Sequence, residues 1–186
     1  GSPSQDGRRI AEIAFTGVEV ASDAVLGEPD NGGALLATLI DTGIAALAAE
    51  AVGAMETLHA MTVEYLKTRK QFGVPIGSFQ ALQHRAVDMM IALEQARSMS
   101  YFAAMMVNAP ADERSAAMSA VKIQINKSAR YVGQQAIQLH GGIGVTAEYK
   151  ASHYFKRLTG IESTFGDTDY HMAALNARDG ILEPVE

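Results

Sequence analysis

Thr68-Arg69-Lys70-Gln71-Phe72-Gly73-Val74-Pro75-Ile76-Gly77-Ser78-Phe79-Gln80 separates two long apolar-periodic segments, and its reading decides the fold. Upstream, from Gly33 to about Thr68, Leu36, Leu39, Ile40, Ile44, Leu47, Ala51, Met55, Leu58 and Val63 recur at i, i+3, i+4 spacing and form one broad face. That pattern predicts a helix about 50 Å long at about 1.5 Å of rise per residue. Downstream, about Ser78 to Asn108 carries Val87, Met90, Ile91, Leu93, Ala96, Phe102 and Met105, with Ser78 suited to N-capping and Asn108-Ala109-Pro110-Ala111-Asp112 as a stop.

A third helix is predicted from about Asp112 to His140, with Ala117, Val121, Ile125, Ala129, Val132, Ala136 and Leu139 pointing inward. It runs into Gln138-Leu139-His140-Gly141-Gly142-Ile143-Gly144, where glycines permit positive φ and close approach of backbone to a ligand. Shorter helices follow at about Glu148 to Thr159 and Thr168 to Ala177. Three long helices joined by short turns, then two short ones, predict an all-α, antiparallel up-and-down bundle. Ahead of it, residues 11–20 alternate as a strand should, before a turn cluster from Gly27 to Gly33. The expected organisation is a strand-like leader and linker over 1–31 and a helical bundle over 32–186.

Composition narrows the function classes. The 186 residues are 48% hydrophobic, enough for one sizeable core. A net charge of −6, with cations scattered among acids, offers no stripe for a phosphate backbone and argues against a nucleic-acid partner. The absence of cysteine excludes disulfide and thiol chemistry and is compatible with a cytoplasmic location. The apolar run Ala45 to Ala54, interrupted by Glu50 and Gly53, reads as too short to span a bilayer. Glu56 and His59 form a Glu-x-x-His pair of the kind used in di-iron bundles, but no other histidine has a glutamate three residues before it, so no metal site is expected.

Taken singly, Arg-Lys-Gln-Phe-Gly also reads as a solvated helix end and Gly-Gly as a C-cap. Taken together, in this order and separation, the two motifs resemble the flavin-contacting segments of the acyl-CoA dehydrogenase family, and the resemblance extends from about Glu12 to about Arg178. It implies FAD as cofactor, an acyl-CoA substrate and a homo- or hetero-oligomer, typically a tetramer. It assigns Arg69, Gln71, Phe72, Phe79, Gln80, Gln138, Gly141 and Gly142 to cofactor contact, with the Arg69 turn on the diphosphate and adenosine side and the Gln-x-x-Gly-Gly segment reaching the cofactor from the neighbouring subunit. The leader resembles the last strand of the family's β-domain.

The chemistry implied is Cα–Cβ dehydrogenation of a thioester, in which a carboxylate takes the α-proton and the β-hydrogen leaves as hydride to the flavin. The family's usual base is a glutamate in a Tyr-Glu-Gly-Thr segment, and the corresponding stretch here is Phe165-Gly166-Asp167-Thr168. Its alternative base lies in the first long helix, where Gly43 stands here, with Ile44 in place of the accompanying arginine. Asp41 matches an acidic residue on the acyl-CoA side. Three explanations remain open: a subunit whose partner supplies the base, Asp167 as base through a one-residue shift, or an assembly subunit that completes a partner's FAD site. Asp167 and Asp169 also read simply as N-capping acids of the last helix.

Overall fold

The computed structural model describes residues 1–178. Its helices are α1 (Gly32–Thr68), α2 (Gln80–Met106), α3 (Ala111–His140), α4 (Lys150–Ser163) and α5 (Thr168–Asn176). Two small antiparallel hairpins accompany them, β1 (Ser2–Pro3) with β2 (Arg9–Ile10) and β3 (Lys70–Gln71) with β4 (Val74–Pro75). The all-α bundle is as expected. α3 lies at the centre, packed against α1, α2, α4 and α5. Its whole predicted inner face is buried, from Ala117 to Leu139. Cross-helix contacts fix the directions: Glu56 and His59 of α1 meet Arg97 and Ala86 of α2, while Asp41 and Tyr65 of α1 meet Arg114 and His140 of α3. The chain therefore runs up, down and up.

Three expectations are corrected. Residues 11–20 pair with no strand, and Ile13, Phe15, Val18 and Val20 stand exposed, because an alternating segment becomes a strand only where a neighbouring strand accepts its hydrogen bonds. Ser78 does not cap α2: it ends a 3₁₀ turn over Ile76–Ser78 and donates its hydroxyl to the Pro75 carbonyl, while Phe79 holds the cap position without a side-chain bond. Finally, Leu36, Leu39, Val87, Met90, Ile91 and Met105, read as members of the apolar-periodic faces of the first two helices, are more than half exposed. Periodicity identifies an apolar stripe but not whether the same chain covers it.

α1 is long and apolar enough to cross a membrane by length and composition, its most apolar 18-residue window having a mean hydropathy of 1.7. Here it packs on α2, α3 and α4 and buries the ionic Asp41, and a third of that window is buried in the bundle. Glu56 and His59 are engaged as well, Glu56 beside Arg97 and His59 Nε2 at 3.0 Å from the Ala86 carbonyl. A single guanidinium, Arg157, ties the amino-terminal turn to the bundle by bonding Asp6 at 2.8 Å and Glu50 at 2.5 and 2.7 Å.

Candidate functional site

Two surfaces carry the residues singled out by sequence. The first is a depression of about 520 Å³ lined by Tyr65, Arg69, Gln71, Gln138, His140, Gly141 and Gly142, among others. α1 stops where Arg69 turns extended, and β3 and β4 fold back through Phe72 and Gly73, both at positive φ (53° and 82°), the signature of a two-residue type I′ hairpin. The hairpin seats on α1 because Gly77 lacks a side chain: a Cβ there would come within 2.8 Å of the Leu66 carbonyl. On the other side α3 ends at Gly141, whose φ of 64° turns the chain, and Gly142 leaves its backbone open with nothing within 4 Å of a Cβ. Thus Arg69, Gln71, Gln138, Gly141 and Gly142 share one face of one chain.

Phe72, Phe79 and Gln80 do not line the depression. Phe72 is 91% exposed despite its unfavourable left-handed backbone, and its ring packs edge-on to Phe79 at 6.2 Å. Behind the depression His140, missed by sequence reasoning, is buried against the rings of Tyr65 and Tyr149 at 4.7 and 5.1 Å. Its Nδ1–H donates to the Ala136 carbonyl at 2.8 Å, and its Nε2 has no partner among the described residues. The donors present, a guanidinium, two amides and free glycine backbone, suit an anionic group bearing hydrogen-bond acceptors, so the face fits the diphosphate and adenosine end of a dinucleotide. Nothing among its lining residues encloses a flavin ring.

The second surface is a pocket of about 400 Å³ between α1, α3 and α5, lined by Ile40, Asp41, Ile44, Ser119, Phe165, Gly166, Tyr170 and His171 among others. Gly43 and Gly166, far apart in sequence, meet beside it: a Cβ on Gly43 would lie 2.6 Å from Phe165 Cε2. A Cβ on Gly166 would lie 2.5 Å from Tyr170 Cδ1 and 2.9 Å from His171 Nε2, and Gly166 has a φ of 103°. Both positions are therefore empty of carboxylate and filled by their neighbours. Asp41 is buried and bonded at 2.9 Å to Arg114, which also donates to Thr38 Oγ1. Asp167 caps α5, its carboxylate accepting from the Tyr170 N–H at 2.8 Å.

Two buried groups here were not found from sequence. His171 Nε2–H donates to the Phe165 carbonyl at 2.9 Å, and its Nδ1 accepts from the Ser119 hydroxyl at 3.2 Å. Lys122 donates to Asn126 Oδ1 at 2.7 Å and to the carbonyls of Ile161 and Glu162, closing the end of α4. Burial lowers its pKa to about 8, with Glu162 and Asp167 opposing the shift, so it stays charged at neutral pH. A signal existed: Lys122 and Asn126 fall on the stripe of Met118, Val121, Ile125 and Ala129, where an apolar residue is expected.

Burial also holds His140 and His171 below their ordinary value of 6.5. A group whose folded pKa is depressed contributes stability that is complete above its unfolded pKa and fades as pH falls toward the folded one. The melting temperature should therefore decline as pH drops below about 6.5, before carboxylates titrate. Thermal melts from pH 8 to 5 check this, and a flat profile across that range counts against two buried neutral imidazoles.

Residues 30–179 match the family model "Acyl-CoA dehydrogenase, C-terminal domain". The chain belongs to the acyl-CoA dehydrogenase family, an FAD-dependent oxidoreductase family, as its carboxy-terminal helical domain. It is 40% identical over 122 residues to acyl-CoA dehydrogenase IpdE2 of Mycobacterium tuberculosis, covering 66% of this chain and 36% of that protein. It is 32% identical over 151 residues to the human mitochondrial short-chain specific acyl-CoA dehydrogenase, covering 81% of this chain and 36% of that protein. Among solved structures, butyryl-CoA dehydrogenase of Megasphaera elsdenii superposes with a TM-score of 0.78 at 28% identity, covering 88% of this chain and 42% of that one. The Tcur3481-Tcur3483 steroid ACAD superposes with a TM-score of 0.73 at 32% identity, covering 78% and 40% respectively. The chain thus spans little more than a third of the length of these curated relatives.

Proposed function

We propose that this chain is the carboxy-terminal domain of an FAD-dependent acyl-CoA dehydrogenase subunit that does not itself supply the proton acceptor, the base coming from a partner subunit. One observation carries the reading. Gly166 lines the pocket and Gly43 packs on Phe165 beside it, and Phe165, Tyr170 and His171 fill the space a base side chain would need, while the donors of the cofactor face remain together. The similarity to the Tcur3481-Tcur3483 steroid ACAD is in keeping with it. Residues 1–31 read as the end of a preceding β-domain. When bound, FAD supplies the acceptor for the β-hydrogen of the thioester.

In this reading Arg69 neutralises the diphosphate, Gln71 and Gln138 bond its oxygens or the adenosine, and the bare backbone at Gly141 and Gly142 lets the cofactor approach closely. Phe72, strained and almost fully exposed, and Phe79 and Gln80 beside it, contact the cofactor or the subunit that holds it. Asp41, already neutralised by Arg114, shapes the acyl side rather than moving a proton. In the full-length protein Arg69→Ala should weaken FAD retention by about 1.5–3 kcal/mol, the worth of a charge-assisted bond. Flavin-to-protein absorbance after dialysis measures it, and unchanged content removes the assignment.

The direct test is Asp167→Asn in the full-length protein assembled with its partner. Asparagine caps a helix about as well as aspartate, so stability should change by less than about 0.5 kcal/mol. Anaerobic flavin bleaching by acyl-CoA should persist within a few-fold, because the α-proton leaves to a carboxylate elsewhere. Loss of bleaching with FAD and acyl-CoA binding intact makes Asp167 the base and overturns the proposal. A purely assembling subunit gives a third pattern, in which flavin is bound and reduced only in sites built by the partner.

A further inference from the structure

The turn between α4 and α5 is more heavily secured than a connector requires. Phe165 has a φ of 61°, a left-handed conformation that a bulky aromatic rarely adopts, and Gly166 follows at 103°. Thr164 anchors the turn at one end, its N–H on the Ile161 carbonyl and its hydroxyl on the Gly160 carbonyl, and Asp167 caps α5 at the other. Between them, buried His171 donates to the Phe165 carbonyl and is itself held by buried Ser119. This relay aims the Phe165 ring at the side of α1, where Gly43 alone makes room: any Cβ there would sit 2.6 Å from the ring edge. A glycine in mid-helix and a left-handed phenylalanine each disfavour the fold, so their coincidence at one contact needs a structural reason.

We propose that Phe165 is a plug, latched by Ser119 and His171, that keeps an acyl chain out of this chain's own pocket between α1, α3 and α5. The inference rests on the reading above that this pocket is the acyl side of a dehydrogenase, and it adds why this chain dispenses with a proton acceptor there. The ring covers the Gly43 side and Tyr170 and His171 cover the Gly166 side. What is left open is floored by the Asp41–Arg114 ion pair, which an alkyl chain would have to desolvate.

The test is calorimetric counting of hexanoyl-CoA sites, against free CoA as reference, on the full-length protein assembled with its partner. Wild type should show no acyl-dependent site per copy of this chain beyond those of the partner. Phe165→Ala should add about one site per copy, with hexanoyl-CoA preferred over CoA by tenfold or more, and His171→Gln should add the same site more weakly by freeing the turn. The proposal is overturned if wild type already binds one hexanoyl-CoA per copy of this chain, a count that needs no variant. It is equally overturned if Phe165→Ala, with unchanged flavin content and melting temperature, adds none. The measurement reads binding without turnover, so its failure is distinct from failure of the partner-supplied base, which flavin bleaching in Asp167→Asn reports.

Discussion

Replacing Lys122 by methionine should lower the unfolding free energy by about 3–5 kcal/mol, a large share of the 5–15 kcal/mol typical of a domain. Lys122 is 1% exposed and its three ammonium donors meet three acceptors: Asn126 Oδ1 and the carbonyls of Ile161 and Glu162. Both carbonyls lie in the last turn of α4, where that of Ile161 also accepts from the Thr164 N–H at 3.2 Å and that of Glu162 depends on the lysine. Methionine fills the volume but strands Asn126 Oδ1 and the Glu162 carbonyl, and takes from Ile161 one of its two donors. Each buried acceptor left alone costs about 1–3 kcal/mol, and relief of the lysine's own desolvation returns part of the total. The neighbouring Lys127→Met, on an exposed position, should change stability by less than about 0.5 kcal/mol. Urea unfolding of both variants decides it, and a loss under about 1 kcal/mol for Lys122→Met means the ammonium is not the closure of α4.

This lysine shows where the sequence stopped being legible. The α3 stripe was read correctly because a helix packed on several neighbours buries its whole apolar face, so periodicity and burial coincide. In α2 they part: Leu93 and Ala96 are buried, whereas Val87, Met90 and Ile91 are exposed, since periodicity carries no information on which surface another chain covers. The cofactor-face motifs were visible because each is short and local. That Arg69 and Gln138 share one depression depends on where α1 and α3 end relative to each other, which spacing along the chain does not encode. The Gly43–Phe165 contact was beyond reach for the same reason, joining positions in different elements by packing alone. His171 gave only a residue type, and its role comes from Ser119 and a turn carbonyl, one distant in sequence and the other in an irregular segment.

Gly166→Ala should destabilise the protein by about 2–6 kcal/mol, and Gly166→Glu, which writes the family's usual base back into its position, should destabilise at least as much without making this chain a proton acceptor. Two costs add. At a φ of 103° any side chain is strained, by about 1–3 kcal/mol. The new Cβ also meets Tyr170 Cδ1 at 2.5 Å and His171 Nε2 at 2.9 Å, and overpacking of this kind costs about 1–3 kcal/mol. Moving His171 away breaks its bond to the Phe165 carbonyl, so the turn that would have to present the glutamate is loosened by the substitution itself. Gly53→Ala is the control: it lies within α1 with nothing within 4 Å of the added Cβ, and should stabilise by about 0.5–1 kcal/mol. Thermal unfolding separates the two glycines by sign. If Gly166→Glu instead folds with wild-type stability and bleaches flavin with the partner's base removed, then the glycine is a simple deletion of a side chain in an otherwise intact active site. The packing of Tyr170 and His171 against it argues the opposite, that the whole α4–α5 turn has been rebuilt around having no carboxylate there.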